Sequence, residues 1–362
     1  MKRTGILLLF LVVLLVPCFS SYQMFGDTLE FTWLAEDALY PESMVNPFSS
    51  ASSLNILMVT EGQPRFVKYA NTGSGAYDEV PIYNGASYAS EKLYVQLKTG
   101  LNIGFFRLSF WEMIEMELGF QGALNTVFQG FGGADNLGFD GVFFFGASMR
   151  LFQTVTVRAG LQHYSGHYGD ETILNINKHN PGQVGDPIEY TRDNNLLFGL
   201  SIQPISQLRV YADASLPLTK SWMHPAIHIP SWVIKPSSGE FLLGVESGRE
   251  GVASPAFSDS YKAWIINAGV EARYPLRRVG SLFLAAEVTA NQDGQTLHTV
   301  GSYDPDNAWE LEYTVGAGLE FDQDVGSSHA RIVVTYHDGR FPLLNFFYQR
   351  TKYISVGCSL SL

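Results

Sequence analysis

The chain has little charge, almost no cysteine and, beyond residue 16, no long apolar run. Each scarcity excludes something. Charged residues make up 16% of the sequence, against roughly 25% in soluble domains, so an ordinary soluble surface is not being built. Two cysteines, Cys18 and Cys358, rule out a disulfide framework. Without an uncharged stretch of about 20 residues there is no membrane helix. The net charge of −12 argues against nucleic acid, whose phosphates demand clustered Lys and Arg. Zinc-ligand spacing, a P-loop and a dinucleotide fingerprint are all missing.

Aromatics, at 14%, and 35 glycines are what the chain does have. Such a composition without long apolar runs must hide its apolar atoms by alternation, as the strands of a membrane barrel do. The start is distinct. Lys2 and Arg3 precede an uncharged run from Ile6 to Val16, which Pro17 breaks before Cys18-Phe19-Ser20. Residues 1–20 read as a secretory signal peptide, too short to span a bilayer. Cys18 as a lipidated cysteine is the alternative, which Pro17 fits poorly. Residues 21–50 read as a periplasmic lead-in, and 51–362 as the barrel.

Alternation is clearest from Trp309, where Leu311, Tyr313, Val315, Ala317, Leu319 and Phe321 interleave with Glu310, Glu312, Thr314, Gly316, Gly318 and Glu320. More than ten residues with one apolar and one polar face make a strand long enough to cross hydrocarbon at a tilt. The same signature predicts strands near 93–108, 113–127, 138–150, 154–167, 191–203, 206–217, 262–274, 281–291, 307–322, 328–338 and 351–362. A closed barrel with both termini in the periplasm needs an even number. The ragged stretch near 54–69, which contains Pro64, supplies the twelfth. The fold class is therefore all-β: a closed antiparallel transmembrane barrel of twelve strands in a bacterial outer membrane. Short turns fall on the periplasmic side, and long loops near 168–190 and 218–261 fall outside. Counting 226–234 and 241–245 as strands would make fourteen, but Pro225 and Pro230 favour a loop there. The chain closes on Leu362 of an amphipathic strand, which resembles the terminal signal read by the barrel-assembly machinery, with Leu in place of the usual Phe.

The polar faces carry Glu115, Glu117, Arg158, Arg209, Asp213, Glu271, Arg273, Glu287, Glu310, Glu312 and Glu320. Both signs occur. Two readings stand: a lumen filled by its own polar network, or a narrow cation-preferring channel lined by carboxylates.

One stretch carries chemistry. Val155, Val157, Ala159 and Leu161 alternate outward, and the same parity puts His163, Ser165 and His167 on the outer wall near the extracellular rim. Residues two apart on a strand lie about 6.6 Å apart and point the same way. His163 and Ser165 can thus meet by rotation, as an activated serine requires. On the next strand, parity puts Arg192 and Asn194 on the same surface, with Asn194 beside His163 if the hairpin pairs symmetrically. A third group of that kind fixes the tautomer of the imidazole. The candidate catalytic set is Ser165, His163 and Asn194, with His167 and Arg192 at the rim.

A His-x-Ser on an outward barrel strand with Asn on the next resembles outer-membrane phospholipase A. That family implies a twelve-stranded barrel acting on outer-leaflet lipids with calcium. The lipid A deacylase barrel likewise uses His-x-Ser. The phospholipase follows its serine with Asn, where Gly166 stands here. More widely, the run from His163 through Ser165 and His167 to Gly169-Asp170-Glu171, the segment Leu208-Arg209-Val210-Tyr211 and the closing Tyr336-His337-Asp338-Gly339 look like an uncharacterised family of bacterial secreted proteins, known only as a domain of unknown function.

Asp170 and Glu171, with Asp186 and Glu189 across the loop, are either a solvated loop or a calcium- or lipopolysaccharide-bridging site of oxygen ligands. No other cofactor is expected. Expected partners are outer-membrane lipids, lipopolysaccharide and the assembly machinery. A homodimer is compatible with the reading.

Overall fold

The computed structural model describes residues 22–24, 29–35, 38–70, 77–81, 92–111, 113–130, 136–172, 189–217, 227–228, 264–277, 279–291, 309–321, 329–346 and 349–361. The signal segment and most of the loop at 218–261, including 241–245, lie outside the described residues.

Strands follow the chain in order. The lead-in forms β1 (Tyr22–Met24) and β2 (Leu29–Ala35), and the wall opens with β3 (Ser52–Glu61). A small hairpin, β4 (Phe66–Ala70) and β5 (Tyr77–Pro81), comes next. The wall resumes with β6 (Leu93–Phe110), β7 (Ile114–Gln129), β8 (Asn136–Leu151), β9 (Val155–Tyr168), β10 (Glu189–Ile205) and β11 (Leu208–Pro217). A two-residue strand, β12 (Ile227–His228), pairs with the start of β10. The wall ends with β13 (Ile265–Leu276), β14 (Gly280–Asn291), β15 (Glu310–Phe321), β16 (His329–Arg340) and β17 (Arg350–Ser361).

Each wall strand pairs antiparallel with the next, and β3 pairs with both β17 and β6, so twelve strands close on themselves. Of residues 226–234 only Ile227 and His228 are described, and they extend the ladder at Tyr190 and Glu189. Outward positions are mostly apolar and exposed round the ring, as at Leu54, Leu124, Leu161, Phe198, Leu284 and Val356. Inward positions are buried and largely polar, with apolar ones such as Leu57, Phe144, Phe283 and Val333 among them. A closed, edgeless barrel with an apolar exterior is the structure a chain without membrane helices uses to cross the outer membrane. Trp111, Phe152 and Tyr274 stand exposed at the short turns, where aromatic side chains suit the interface.

The lead-in departs from the expected periplasmic segment over its second half. β2 pairs with the lower part of β6, Leu29 opposite Phe110 and Ala35 opposite Gly104. β3 takes the same edge higher up, from Ser53 opposite Lys98 to Met58 opposite Leu93. Between them the chain leaves the wall and enters the lumen, where Leu39, Tyr40, Met44 and Val45 are buried. The physical reason is that lumen-facing carboxylates and arginines find there the backbone partners that sequence parity cannot display.

The re-entry point is tight. Gly100 donates its N–H to Ser52 Oγ at 2.9 Å, and Ser52 Oγ donates to the Gly100 carbonyl at 3.2 Å. A side chain on Gly100 would overlap the Ser50 carbonyl oxygen. Gly100→Ala is therefore expected to cost about 1–3 kcal/mol by overpacking. The readout is an earlier unfolding midpoint in urea, and an unchanged midpoint would show that the segment does not return past Gly100.

Candidate functional site on the outer wall, and the filled lumen

On β9, alternation sends Leu161, His163, Ser165 and His167 outward and buries Tyr164 and Tyr168 inside. The ladder with β8 sets Phe145 opposite Leu161, Phe143 opposite His163, Gly141 opposite Ser165 and Phe139 opposite His167. All three polar residues are half-buried. The His167 ring stacks on Phe139 with centroids 4.9 Å apart, and His163 lies stacked 6.3 Å from Phe143.

The other neighbour, β10, carries an irregularity at this height. Thr191 pairs with Ser165, Arg192 with Tyr164 and Asn195 with Gln162, with a register shift between Arg192 and Asn195. Asp193 and Asn194 therefore share the place opposite His163. Such two-against-one bulges recur next to active sites, where they re-aim side chains. Arg192 is paired with Tyr164 rather than with a member of the outer row. The side chains of Arg192 and Asn194 lie outside the described residues. Symmetrical pairing, the basis of the sequence reading, does not allow for the extra residue.

Asp170 and Glu171 follow β9 in a single helical turn and are exposed. Thr172, next in line, donates its hydroxyl to the carbonyls of Asn136 and Leu137, which ties this turn to β8. Among the described residues no group of three or more His, Cys, Asp or Glu side chains is placed to hold a metal ion. Asp186 lies outside the described residues, as does the side chain of Glu189.

Inside, every lumen residue named from sequence is engaged. Glu117 accepts from Arg107 Nη2 at 2.6 Å and, through its other oxygen, from the Leu39 N–H at 3.0 Å. Glu115 is paired with Arg150. Arg158 binds Asp213 at 2.8 Å and Gln121 at 2.7 Å, with its guanidinium 4.0 Å over the Tyr40 ring. Tyr40 in turn donates to Asp213 at 3.0 Å.

Arg209 is the most enclosed of the lumenal arginines. It donates to Ser201, to Glu271 at 3.1 Å and to the carbonyls of Pro41 and Glu42. Glu271 also receives the Met44 N–H at 2.9 Å. Arg273 reaches Glu320 at 3.1 Å, and Arg331 reaches it at 2.6 Å. Arg340 stands 3.6 Å from Glu310 and 3.3 Å from Glu312. Burial pushes the Tyr40 phenol and the Glu42 carboxyl up from their ordinary ranges, so Tyr40 keeps the proton it donates.

Sequence parity identified the wall groups but missed the chain segments that fill the space between them. One is the lumenal segment 38–51. The other is the connection after β16, where Phe341, Leu343, Leu344 and Phe346 fold inward and are buried. There the Leu344 N–H donates to Asp140 at 3.0 Å, and Tyr168 donates to the Asn345 carbonyl at 3.1 Å. The clustered apolar residues of this loop were the available signal: a solvated loop has no use for Phe341, Leu343, Leu344 and Phe346 together.

No family model and no curated protein matches the chain. The resemblance to an uncharacterised secreted family thus brings no family assignment. Solved structures of outer-membrane barrels do match. The outer membrane phospholipase of Salmonella typhi, a dimer with bound calcium, shares 12% identity over 88% of this chain and 92% of its own, with a TM-score of 0.44. Outer membrane phospholipase A of Escherichia coli shares 11% over 90% and 94%, also at 0.44. The NanC porin shares 10% over 86% and 100%, at 0.37. Proteins with different activities match alike at these identities, so the likeness says nothing about the site.

Proposed function

We propose that this barrel is a lipid acyl hydrolase working from its outer wall, with Ser165 as nucleophile, His163 as general base and Asn194 orienting the imidazole. The observation that carries the reading is the row His163, Ser165, His167 on the outward face of β9, three consecutive polar residues in a wall whose outward positions are mostly apolar. Polar side chains facing lipid cost free energy that Leu or Val would avoid. A bulge in the neighbouring strand opposite the histidine is a second irregularity at the same spot.

In this reading His163 takes the Ser165 proton as the oxygen attacks the ester carbonyl. Collapse of the tetrahedral intermediate expels the alcohol, which leaves with that proton. Water, activated by the same histidine, then frees the fatty acid and restores Ser165. Lipids of the outer leaflet meet this face directly, with their headgroups toward His167 and the rim. The oxygen-rich turn at Asp170 and Glu171 is of the type calcium takes, so calcium belongs in the assay.

A channel is the competing reading. The segment 38–51 and the inward loop 341–346 speak against it, because both occupy the space through which ions would pass.

The test is fatty-acid release from phospholipid and from lipid A by the refolded barrel, with and without calcium, beside Ser165→Ala. Release that falls by at least about a thousand-fold in the variant is the expected result. No release from either lipid by a folded natural barrel would remove the hydrolase, and equal release by Ser165→Ala would remove Ser165.

A further inference from the structure

We propose that Phe143 is the platform on which the acyl chain of the scissile ester lies, held flat against the wall by Gly122 and Gly141. This rests on the hydrolase reading above and adds to it the substrate class: long, unbranched acyl esters.

The outer surface beside Ser165 is laid out in cross-strand rows. Leu124, Gly141 and Ser165 form one row across β7, β8 and β9, and Gly122, Phe143 and His163 form the next. The two glycines differ from those that merely let strands approach. A Cβ on Gly146 or Gly160 would overlap backbone oxygens of the neighbouring strand. At Gly122 and Gly141 the nearest atoms are all side-chain atoms. A Cβ on Gly122 would lie 2.6 Å from Cδ1 of Phe143, and one on Gly141 would lie 2.7 Å from its Cε2. The Phe143 ring thus lies down over both positions.

Phe120 lies near-parallel to it at 6.0 Å and 25°, and His163 at 6.3 Å and 22°. The three rings make an aromatic strip that ends at the imidazole. Ser165 borders it, since the same Cβ on Gly141 would come within 2.9 Å of Ser165 Oγ. No side chain stands between the hydroxyl and the strip. A flexible chain gains a defined path by lying along such a surface, and its ester is then delivered to Oγ at a fixed height. The gain is positional, because the chain leaves one apolar medium for another.

The experiment compares p-nitrophenyl palmitate with p-nitrophenyl butyrate in detergent micelles, for the natural protein, Gly122→Ala and Phe143→Ala. Heat-dependent electrophoretic mobility confirms that each barrel is folded. Gly122→Ala lifts the ring without touching Ser165. It is expected to lower kcat/KM for palmitate by about ten- to a hundred-fold, the scale of a 1 Å misplacement, and to leave butyrate within about two-fold. Phe143→Ala also removes the ring stacked beside His163, so it should slow both esters, palmitate by the larger factor. Equal losses on the two esters, or none, would overturn the platform while the hydrolase stands. If the natural protein cleaves neither ester and an alkylsulfonyl fluoride fails to label Ser165, the platform and the hydrolase fall together.

Discussion

Replacing residues 36–52 with five residues that continue the strand is expected to turn a filled barrel into a conducting one. Only five positions of β6, residues 99–103, separate the partner of Ala35 from the partner of Ser53. At about 3.3 Å per residue, five residues in extended conformation bridge that distance along the wall. The chain uses many more, and the surplus is the material in the lumen. Excision leaves Glu117, Asp213, Glu271 and Glu287 without the segment they bind. They are not stranded, because water enters with the vacancy and solvates them. Arginines remain opposite these carboxylates, so the pore is expected to be only weakly ion-selective. Planar-bilayer recording decides: a folded, excised barrel that conducts no more than its parent would show that the lumen is closed elsewhere, with the loop at 341–346 next to be removed.

The second large effect is on stability. Arg209 is 1% exposed and Glu271 is 0% exposed. Arg209→Met, with the lumenal segment in place, removes the partner of a buried carboxylate and two donors to the carbonyls of Pro41 and Glu42. Arg273 is the other cation near Glu271, at 3.9 Å, too long to replace the lost bond. Breaking one side of a buried pair costs about 3–5 kcal/mol. The expected result is a lower unfolding midpoint in urea with an unchanged slope. Adding Glu271→Gln should recover part of the loss, since the coupling belongs to the pair. A single variant within about 1 kcal/mol of the parent would mean that the network does not hold the segment.

How much of this was legible depends on what faces what. Eleven wall strands could be read from sequence because lipid outside and polar groups inside impose a two-residue period over ten or more positions, as from Trp309 to Phe321. The first wall strand was weaker. Its expected span, 54–69, ran on past Pro64, whereas β3 ends at Glu61 and a separate hairpin follows. The lumenal segment was opaque for a different reason. Glu271 has the same parity whether it meets water or the Met44 N–H, so the pattern on the wall carries no record of its partner.

At the outer site, parity placed His163 and Ser165 on one face, but the neighbouring strand depended on an assumed count. A bulge adds a residue without changing composition, so the place of Asn194 relative to His163 is set by the ladder and not by arithmetic from the turn. The glycines under Phe143 belong to the same class. In sequence they are two among 35, and only the cross-strand rows show what they make room for.

The seam where β3 meets β17 also sets the order of events during assembly. The lumenal segment leaves the wall after β2, returns to it at β3, and bonds to groups on β7, β11, β13 and β14, up to 241 residues away in sequence. It is tethered to wall strands at both ends, so it cannot be threaded into a finished cylinder from one side. Its partners exist only after those strands have been laid down, and the ring has no room for its entry once β3 and β17 have zipped. Filling and closure must therefore fall in one late step that joins the two ends of the chain, and contacts of such long range make that step slow.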